Sequence, residues 1–385
     1  MAVAALGFGG ILAACGSSGS SSTATTAASS NTTSSSSSAG LAQAQTLVNS
    51  VMAPPAWQGP TAKVNTSNLS GKSVWLVNLT EEIPALHEWA AVAQADLQRA
   101  HVNVQICDAK GTPEGITSCM QQAIAAKPNV LVAMSLDTTY IHSYIQQASA
   151  AGIKVITAQT GTPGIPQGTG AVAEVTFNYP QVGKILGAWF AVQSKCTGYP
   201  QIITSTSARQ PSAAEVAGMQ QEIAQACPSS KPLPVVNSLI PDWGTTLATT
   251  TRSLLTANPS MKFMLPLYDG MTIYMVPAIQ QMGLASKVQV GSFNATPVVM
   301  QNELAKPSAL AADVGGPNQW YGDALADQTF RVLAGAPVIP SENVPLRLFT
   351  RANVNTINVN ANESTWYGSV NYNCNYDKLW GMSCN

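Results

Sequence analysis

Polar and aromatic side chains stand directly after several segments that the sequence predicts to be parallel strands. Gln159, Tyr268, Asp269 and Asn294 hold such positions, and Trp243 closely follows another strand segment. The carboxyl ends of parallel strands converge on one crevice, which is where open α/β folds bind ligands. Amide and carboxylate groups hydrogen-bond hydroxyls or amines, while Tyr268 or Trp243 would pack on an apolar face. The pattern predicts non-covalent binding of a small polar molecule.

Other residues near the strand ends have two interpretations each. Glu81 and Glu82 follow the first predicted strand, where they would either line the crevice or form a solvated loop pair. Asp137 would either contact a ligand or cap the helix that follows it, and capping is the favoured interpretation. For Trp243, simple packing rivals stacking on a ligand, and Trp320 is expected in the core.

The motifs of common catalytic and cofactor sites are absent from the sequence. It contains no G-x-x-x-x-G-K-[ST] loop, no G-x-G-x-x-G opening a helix after a strand, and no G-x-S-x-G elbow. His87, His101 and His142 lack the spacing of metal ligands, and there is no C-x-x-C pair. We therefore expect a binding protein rather than an enzyme, with no cofactor and no metal.

The chain alternates short apolar strands with amphipathic helices, which predicts parallel sheets covered on both faces. Before residue 160, strands are expected at 73–79, 102–107, 129–135 and 153–158, and helices at 85–99, 113–126 and 138–150. Residues 160–170 contain four Gly and two Pro, which marks the best domain boundary. Beyond it, helices are expected at 179–193, 213–226, 245–257, 271–282 and 319–334. Strands are expected at 201–206, 234–239, 262–267, 287–292, 309–314 and 344–350, followed by a tail without a helix.

Composition narrows the class of protein. A length of 385 residues fits two domains. Charged residues make up 10% of the chain, against about 25% in typical proteins, and the net charge is −1. Binding to nucleic acid requires a basic face, which 18 thinly spread Lys and Arg residues do not provide. After the N-terminus no apolar run is long enough to span a bilayer.

The N-terminal segment is typical of an exported, lipid-anchored protein. Residues 2–14 are almost wholly apolar or Gly, and they lead into Leu-Ala-Ala-Cys15, which resembles a lipobox whose cysteine is lipidated. Residues 16–40 are nearly all Ser, Thr, Ala and Gly, which predicts a flexible spacer. We expect a signal peptide over 1–15, a linker and N-terminal extension over 16–71, and a location on the outer face of the cytoplasmic membrane. The alternative is a chance cysteine after an apolar stretch.

Six cysteines remain when Cys15 is set aside, and an even number fits disulfides in an oxidising compartment. Cys107 ends a predicted strand, and Cys119 lies on the helix that packs back over it. Cys196 and Cys227 each end a helix just before strands that are expected to be neighbours. We therefore expect pairing in sequence order, with Cys374 bound to Cys384 in the tail. Six buried free thiols are the alternative.

Six segments between residues 71 and 351 carry a family resemblance. They are 72–77 (KSVWLV), 108–114 (DAKGTPE, with Gln121 on the next helix), 127–135 (KPNVLVAMS), 151–157 (AGIKVIT), 177–184 (FNYPQVGK) and 288–294 (VQVGSFN). In this order and spacing they resemble the type I periplasmic solute-binding proteins of ABC importers, in the ribose and galactose branch.

The resemblance implies an α/β fold of two Rossmann-like lobes with a ligand cleft between them and closure by hinges. It places 72–165 and 311–340 in the first lobe and 166–310 in the second, leaving 341–385 as a C-terminal strand and disulfide-bearing tail. Three hinge crossings are implied, near 161–170, 293–297 and 314–317.

The resemblance also implies a set of ligand-binding positions. These are Gln159, Thr160, Arg209, Glu215, Tyr268, Asp269, Phe293, Asn294 and Asp313. Where the family often has charged groups, several of these positions hold neutral amides, hydroxyls or an acid. Neutral amides still bind hydroxyls as both donor and acceptor.

Two functions fit these expectations. The first is the substrate-binding lipoprotein of an ABC importer, which would capture a sugar, polyol or similar small polar solute and deliver it to a membrane permease. The second is a ligand-sensing protein that signals to a membrane receptor. An exported hydrolase has little support because no nucleophile–base pair is visible. A transcription regulator of this fold would need a basic front end, whereas the first charged residue is Lys63.

Overall fold

The computed structural model describes residues 31–161, 163, 164, 167–342 and 344–384, and Cys15 with the rest of the expected signal peptide lies outside them. Eleven strands in this part of the chain form two sheets. The strands are β1 (Ser73–Asn78), β2 (Asn103–Asp108), β3 (Val130–Met134), β4 (Lys154–Ala158), β5 (Ala173–Val175), β6 (Pro200–Thr204), β7 (Val236–Asn237), β8 (Phe263–Pro266), β9 (Gln289–Asn294), β10 (Leu310–Gly315) and β11 (Arg347–Thr350). The first sheet has the order β2-β1-β3-β4-β5 and the second β11-β10-β9-β8-β6-β7.

Eleven α-helices of the described residues cover these sheets. They are α1 (Asn31–Met52), α2 (Pro84–Arg99), α3 (Pro113–Ala126), α4 (His142–Ala150), α5 (Tyr179–Ser194), α6 (Arg209–Ala226), α7 (Trp243–Ala257), α8 (Asp269–Gln281), α9 (Pro297–Val299), α10 (Asn318–Ala334) and α11 (Tyr372–Trp380). The first sheet with α2, α3, α4 and α10 forms lobe one, and the second sheet with α5 to α8 forms lobe two.

The apolar sequence of β3 explains its position in the middle of the first sheet. All five residues of β3 are buried, as expected for a strand covered on both faces of a sheet. Its register pairs Val130 with Val74 of β1 and with Lys154 of β4, all in parallel.

Helix α3 begins after Thr112, whose hydroxyl accepts a hydrogen bond from the amide of Gly115 at 3.1 Å. The pair β10–β11 is antiparallel.

Two of the three expected crossings between the lobes differ from those in the structure, and the third, near 314–317, agrees with it. Residues 161–170 connect β4 to β5 within lobe one, and residues 293–297 connect β9 to β10 within lobe two. Strand β10 stays in the second sheet, so the return to lobe one occurs at Gly316 and Pro317, before α10. The remaining crossings are at 176–178 and at 335–346. The cause of the difference is the three-residue strand β5, which is too short to be recognised in the sequence and extends lobe one to residue 175.

Two chain ends add structure beyond the predicted lobes. Helix α1 begins at Asn31 and packs on α5 and α6 of lobe two. Residues 31–40 are therefore part of a helix, and the expectation of a flexible spacer is wrong for them. Trp57 then stacks on Trp320 of lobe one with ring centroids 4.9 Å apart. We call residues 31–66 the strap, because this segment contacts both lobes.

The tail forms helix α11, where no helix was expected. Tyr372, Tyr376 and Trp380 are buried on it, and their spacing of four residues gives an apolar stripe that outweighs the low helix propensity of Asn. The described residues contain three disulfides, in the expected sequential pairing. They join Cys107 to Cys119, Cys196 to Cys227 and Cys374 to Cys384. None of the described helices is both long and apolar enough to cross a membrane.

Candidate functional site

A small cavity lies between the lobes at the carboxyl ends of the strands. Its volume open to the centre of a water molecule is about 20 Å³. Lobe one contributes Leu79, Ile83, Ala85, Leu86, Trp89, Ser135 and Gln159, and lobe two contributes Ala208, Ile240, Tyr268 and Asn294. Three of the sequence-predicted ligand residues, Gln159, Tyr268 and Asn294, therefore meet here, one from the first lobe and two from the second.

Gln159 is held in place by one partner from each lobe, Ser135 of lobe one and Tyr179 at the start of α5 in lobe two. Its Oε1 accepts a hydrogen bond from the Ser135 hydroxyl, and its Nε2 donates to the Tyr179 hydroxyl. Both Ser135 and Gln159 have a positive φ, of 62° and 63°, at the ends of β3 and β4. This left-handed backbone conformation is uncommon for residues other than glycine, and at both positions the residue that adopts it lines the cavity.

Tyr268 belongs to the lobe-two wall and immediately precedes α8. Its hydroxyl lies 2.9 Å from the Ser212 hydroxyl of α6. Trp243 packs beside it rather than in the cavity, with ring centroids 6.4 Å apart and the Nε1 of Trp243 donating to the Ser238 carbonyl at 3.1 Å. The packing interpretation of Trp243 therefore describes this structure.

Asn294 ends β9 with a φ of 125°, which is rare for a residue other than glycine. Its backbone carbonyl accepts a hydrogen bond from Nδ2 of Asn318 at 3.3 Å. The residue is 3% exposed, and its side chain forms no hydrogen bond within the described structure. The free carboxamide lines the cavity from the lobe-two side.

The lobes touch beside the cavity through polar contacts. Arg209 Nε donates to Asp137 Oδ2 at 2.6 Å, and Arg209 Nη2 donates to the Thr139 hydroxyl at 2.6 Å. Burial alone would raise the pKa of Asp137, but hydrogen bonds from Arg209 and Thr139 outweigh it and lower that pKa. Gln210 also bonds Thr138 across the cleft, at 2.8 Å. Arg209 therefore joins the two lobes instead of lining the cavity.

Three implied acids lie inside lobe two, away from the cavity lining. Asp269 Oδ2 accepts hydrogen bonds from the amide and hydroxyl of Thr296, both at 2.6 Å. Asp313 Oδ1 accepts from the amide of Ala295 at 3.2 Å. Both oxygens of Glu215 are buried without a hydrogen-bond partner. Burial raises the pKa of Asp269 to about 7 and raises the pKa values of Glu215 and Asp313 well above their ordinary range. None of these three acids lines the cavity.

The remaining predicted positions also lie outside the cavity lining. Thr160 donates to Glu174 through its amide at 3.0 Å and its hydroxyl at 2.8 Å. Glu81 lies 2.7 Å from His87, whereas Glu82 is exposed on the loop. Phe293 packs edge-on against Phe177, with centroids 5.4 Å apart, where the chain crosses between lobes.

Sequence reasoning missed most of the cavity wall. Leu79, Ile83, Leu86 and Trp89 come from the end of β1 and the first two turns of α2, and Ile240 comes from the loop after β7. Their apolar character made them candidates for the core, and no local pattern distinguishes a core residue from a cleft residue at these positions. In the described residues, no three His, Cys, Asp or Glu side chains come together as a metal site.

Comparison with known proteins gives matches over most of the chain. Residues 76–337 match the family model described as "Periplasmic binding protein domain". An ABC transporter solute binding protein from Agrobacterium vitis with bound allitol has a TM-score of 0.68 and 20% identity, over 75% of this chain and 98% of that chain. No curated protein matches.

Two other solved structures are similar. A solute binding protein from Bacillus halodurans with bound myo-inositol has a TM-score of 0.66 and 15% identity, over 75% of this chain and 98% of that chain. A Mycobacterium smegmatis protein in complex with β-D-fucofuranose has a TM-score of 0.65 and 19% identity, over 74% of this chain and 93% of that chain. These likenesses show the fold. Since the family model covers more than half of the sequence, the chain belongs to the periplasmic binding protein domain family, with the type I fold.

Proposed function

We propose that this protein is the solute-binding component of an ABC importer. It captures a small neutral polar solute, such as a sugar or polyol, between its lobes and delivers it to a membrane permease. The observation that carries the proposal is the interlobe cavity, which receives Ser135 and Gln159 from one lobe and Tyr268 and Asn294 from the other. A solute held by both lobes stabilises the closed arrangement, which is the form a permease would recognise.

Two further observations support a binding role without catalysis. Among the lining residues, Ser135 carries the aliphatic hydroxyl. This hydroxyl donates a hydrogen bond to the side-chain amide of Gln159, and an amide cannot act as the base that would activate a serine nucleophile. The solved structures with the same fold hold allitol and myo-inositol, which are neutral solutes rich in hydroxyls. The lipobox-like segment ending at Cys15 supports export and anchoring by lipid at the outer face of the membrane.

A thermal-shift screen of residues 31–385 against neutral sugars and polyols tests the proposal. A solute at about 100 times its dissociation constant adds about 2.7 kcal/mol to the free energy of unfolding, which raises the melting temperature measurably. Ala208 lines the cavity, so Ala208→Trp should abolish the shift. Ala213 is exposed on the same helix region, so Ala213→Trp is the matched control and should keep the shift.

Two results would overturn the proposal. One is a screen in which no neutral solute raises the melting temperature. The other is a shift that survives in Ala208→Trp, because binding would then occur elsewhere. Anchoring is tested separately with the full chain: Cys15→Ser should move the protein from the membrane fraction to the soluble fraction, and continued membrane association would contradict lipidation.

A further inference from the structure

We infer that the strap is a latch across the hinge: it holds lobe two against lobe one in the closed arrangement, and the lobes open when its contact with lobe one at Trp57 is released. The inference goes beyond the proposed function, because a latch changes the balance between closed and open forms before any solute binds. It follows from how each end of the strap is fixed, how short the connection between these ends is, and where that connection lies relative to the crossings.

The N-terminal part of the strap is fixed to lobe two. Helix α1 packs on α5, α6 and β11. Its approach to α6 is close, because a Cβ atom added to Gly40 would lie 2.5 Å from the carbonyl oxygen of Gln225. At the end of the helix, the carbonyl of Met52 accepts a hydrogen bond from Nε of Arg347 in β11 at 3.2 Å. Helix α1 therefore moves with lobe two.

The C-terminal part of the strap is fixed to lobe one. Trp57 stacks on Trp320 of α10 with ring centroids 4.9 Å apart, and it meets Tyr376 of α11 edge-on at 5.2 Å. Further along the strap, the carbonyl of Ala62 accepts a hydrogen bond from Nη2 of Arg331, also on α10, at 2.6 Å. Because α11 itself packs on α10, this part of the strap moves with lobe one.

The connection between the two fixed parts is short and stiff. Four residues, Ala-Pro-Pro-Ala, separate Met52 from Trp57. Five residue steps span at most about 18 Å, and the two prolines restrict the backbone to extended conformations. Pro54 also packs against the tail, where a Cβ atom added to Gly368 would lie 2.6 Å from the Cβ atom of Pro54. Such a connection lengthens little when its ends are pulled apart.

The strap lies beside the hinge. Trp320 is three residues beyond the crossing at Gly316 and Pro317, and Arg347 directly follows the crossing at 335–346. The strap thus joins the lobes next to two of the crossings. A rotation of the lobes that separates Met52 from Trp57 therefore pulls on the contacts at both ends of the connection.

The contact at Trp57 is the one that gives way. Ala44 and Val48 of α1 are fully or almost fully buried against lobe two, whereas Trp57 is half-buried. Unpacking the helix would expose several apolar side chains to water, but lifting the indole off Trp320 exposes one that already meets solvent. Release at Trp57 is thus the less costly way to open the lobes.

Spin labels on the two sides of the cleft report its opening in the solute-free protein. Glu82 of lobe one and Leu239 of lobe two are exposed. Each directly precedes a residue of the cavity wall, Ile83 or Ile240. Glu82→Cys and Leu239→Cys therefore place one label on each lobe. The full chain also carries Cys15→Ser, and its other native cysteines are bonded in disulfides, so only the introduced thiols react. Double electron–electron resonance then measures the distribution of distances between the labels.

Two variants release the latch in different ways. Trp57→Ala removes the stacking on Trp320. An insertion of Gly-Ser-Gly-Ser between Pro55 and Ala56 keeps both fixed parts of the strap and lengthens the connection between them. In each variant, the share of molecules with the longer distance between the labels should rise at least threefold over the parent.

Each variant has a matched control. Trp75→Ala removes a half-buried tryptophan of β1, which lies in lobe one and outside the strap. The same four residues inserted between Gly198 and Tyr199 lengthen an exposed loop within lobe two. Both controls should keep the distance distribution of the parent.

The outcomes are decisive for the latch. If the insertion in the strap leaves the distribution unchanged, the length of the connection does not matter and the inference fails, even where Trp57→Ala has an effect. If only the insertion acts, Trp57 is not the point of release and that part of the inference fails. If the controls open the cleft as much as the strap variants, or if the parent shows the longer distance alone, the strap does not hold the lobes closed and the inference fails. Because no solute is present, each of these results leaves the proposed function standing, and a failed solute screen leaves the latch unaffected.

Discussion

The packing of α5 against α6 predicts a large effect of adding one methyl group. A Cβ atom on Gly183 would lie 1.9 Å from the backbone carbonyl oxygen of Glu215 and 2.7 Å from the amide nitrogen of Met219. Gly218 approaches α5 just as closely, with its added Cβ 2.1 Å from the carbonyl oxygen of Pro180. The two helix backbones are therefore in contact, with no side chain between them at the crossing.

The structure gives the size of the effect for Gly183→Ala. The 1.9 Å contact falls short of the 3.4 Å of an ordinary contact by about 1.5 Å, and the opposing atom is backbone, which cannot rotate away. Alanine favours a helix over glycine by about 1 kcal/mol, whereas overpacking of a core costs typically 1–3 kcal/mol and sometimes more. Because the overlap is large, we expect the upper end of the overpacking range and a net loss of roughly 2 kcal/mol or more in the free energy of unfolding of lobe two. Since α6 begins with Arg209, which bonds the other lobe, solute affinity should fall as well.

Urea denaturation followed by tryptophan fluorescence measures the stability, and calorimetry measures the affinity for the solute found in the screen. Gly244→Ala is the matched control, because Gly244 also lies in a helix but its added Cβ would meet Tyr274 no closer than 3.6 Å. It should be neutral or stabilising by up to about 1 kcal/mol. If Gly183→Ala is as stable as Gly244→Ala, the helices do not pack backbone to backbone as described, and the reasoning is refuted.

Three further predictions concern other parts of the molecule. Burial raises the pKa of Asp269 to about 7, above the value of about 4 in an unfolded chain. Its stabilising effect is complete below about pH 4 and is lost between about pH 4 and 7, so Asp269→Asn should make the stability less dependent on pH in that range, by roughly 1.4 kcal/mol per pH unit at most. Equal slopes of the two proteins in urea titrations would contradict this. Arg209→Met removes the bonds of Arg209 to Asp137 and Thr139, which are two of the contacts between the lobes, so the radius of gyration in X-ray scattering should increase. Arg252→Met loses a contact within its own helix and should leave the radius unchanged, and no difference between the two variants would contradict a bridging role. Trp57→Ala removes the stacking of the strap on Trp320 and should lower the free energy of unfolding by roughly 1–3 kcal/mol. Hydrogen exchange over residues 31–66 should become faster, and unchanged exchange would show that the strap does not depend on this contact.

The sequence predicted the strands and helices of both lobes well, because their periodic patterns are strong. Helix α3 has the expected bounds, and α2 and α5 differ from expectation by one residue. The misses have physical causes. Strand β5 has three residues and no room for a pattern, and α11 is held by burial of its aromatic stripe rather than by propensity.

The candidate site was predicted less completely than the fold. Gln159, Tyr268 and Asn294 were recognisable because each follows a parallel strand. Arg209 and Glu215 were misplaced because the position of a residue along a helix does not show which partner it meets across the cleft; Arg209 pairs with Asp137, 72 residues away in sequence. The apolar wall could not be predicted, since Leu86 and Trp89 have the same spacing as core residues of an amphipathic helix.

The disulfides have a consequence for the order in which the chain can fold. Each joins cysteines that are close in sequence, with separations of 12, 31 and 10 residues, and no pair encloses another. A chain that emerges from its N-terminus onwards can therefore close Cys107–Cys119 before Cys196 is exposed, and Cys196–Cys227 before the tail appears. Each bond lies within a single lobe or within the tail, so oxidation can be completed one segment at a time. Because none of the disulfides among the described residues joins lobe one to lobe two, these bonds leave the lobes free to rotate about their crossings. Reduction would loosen each lobe without altering how the two are connected.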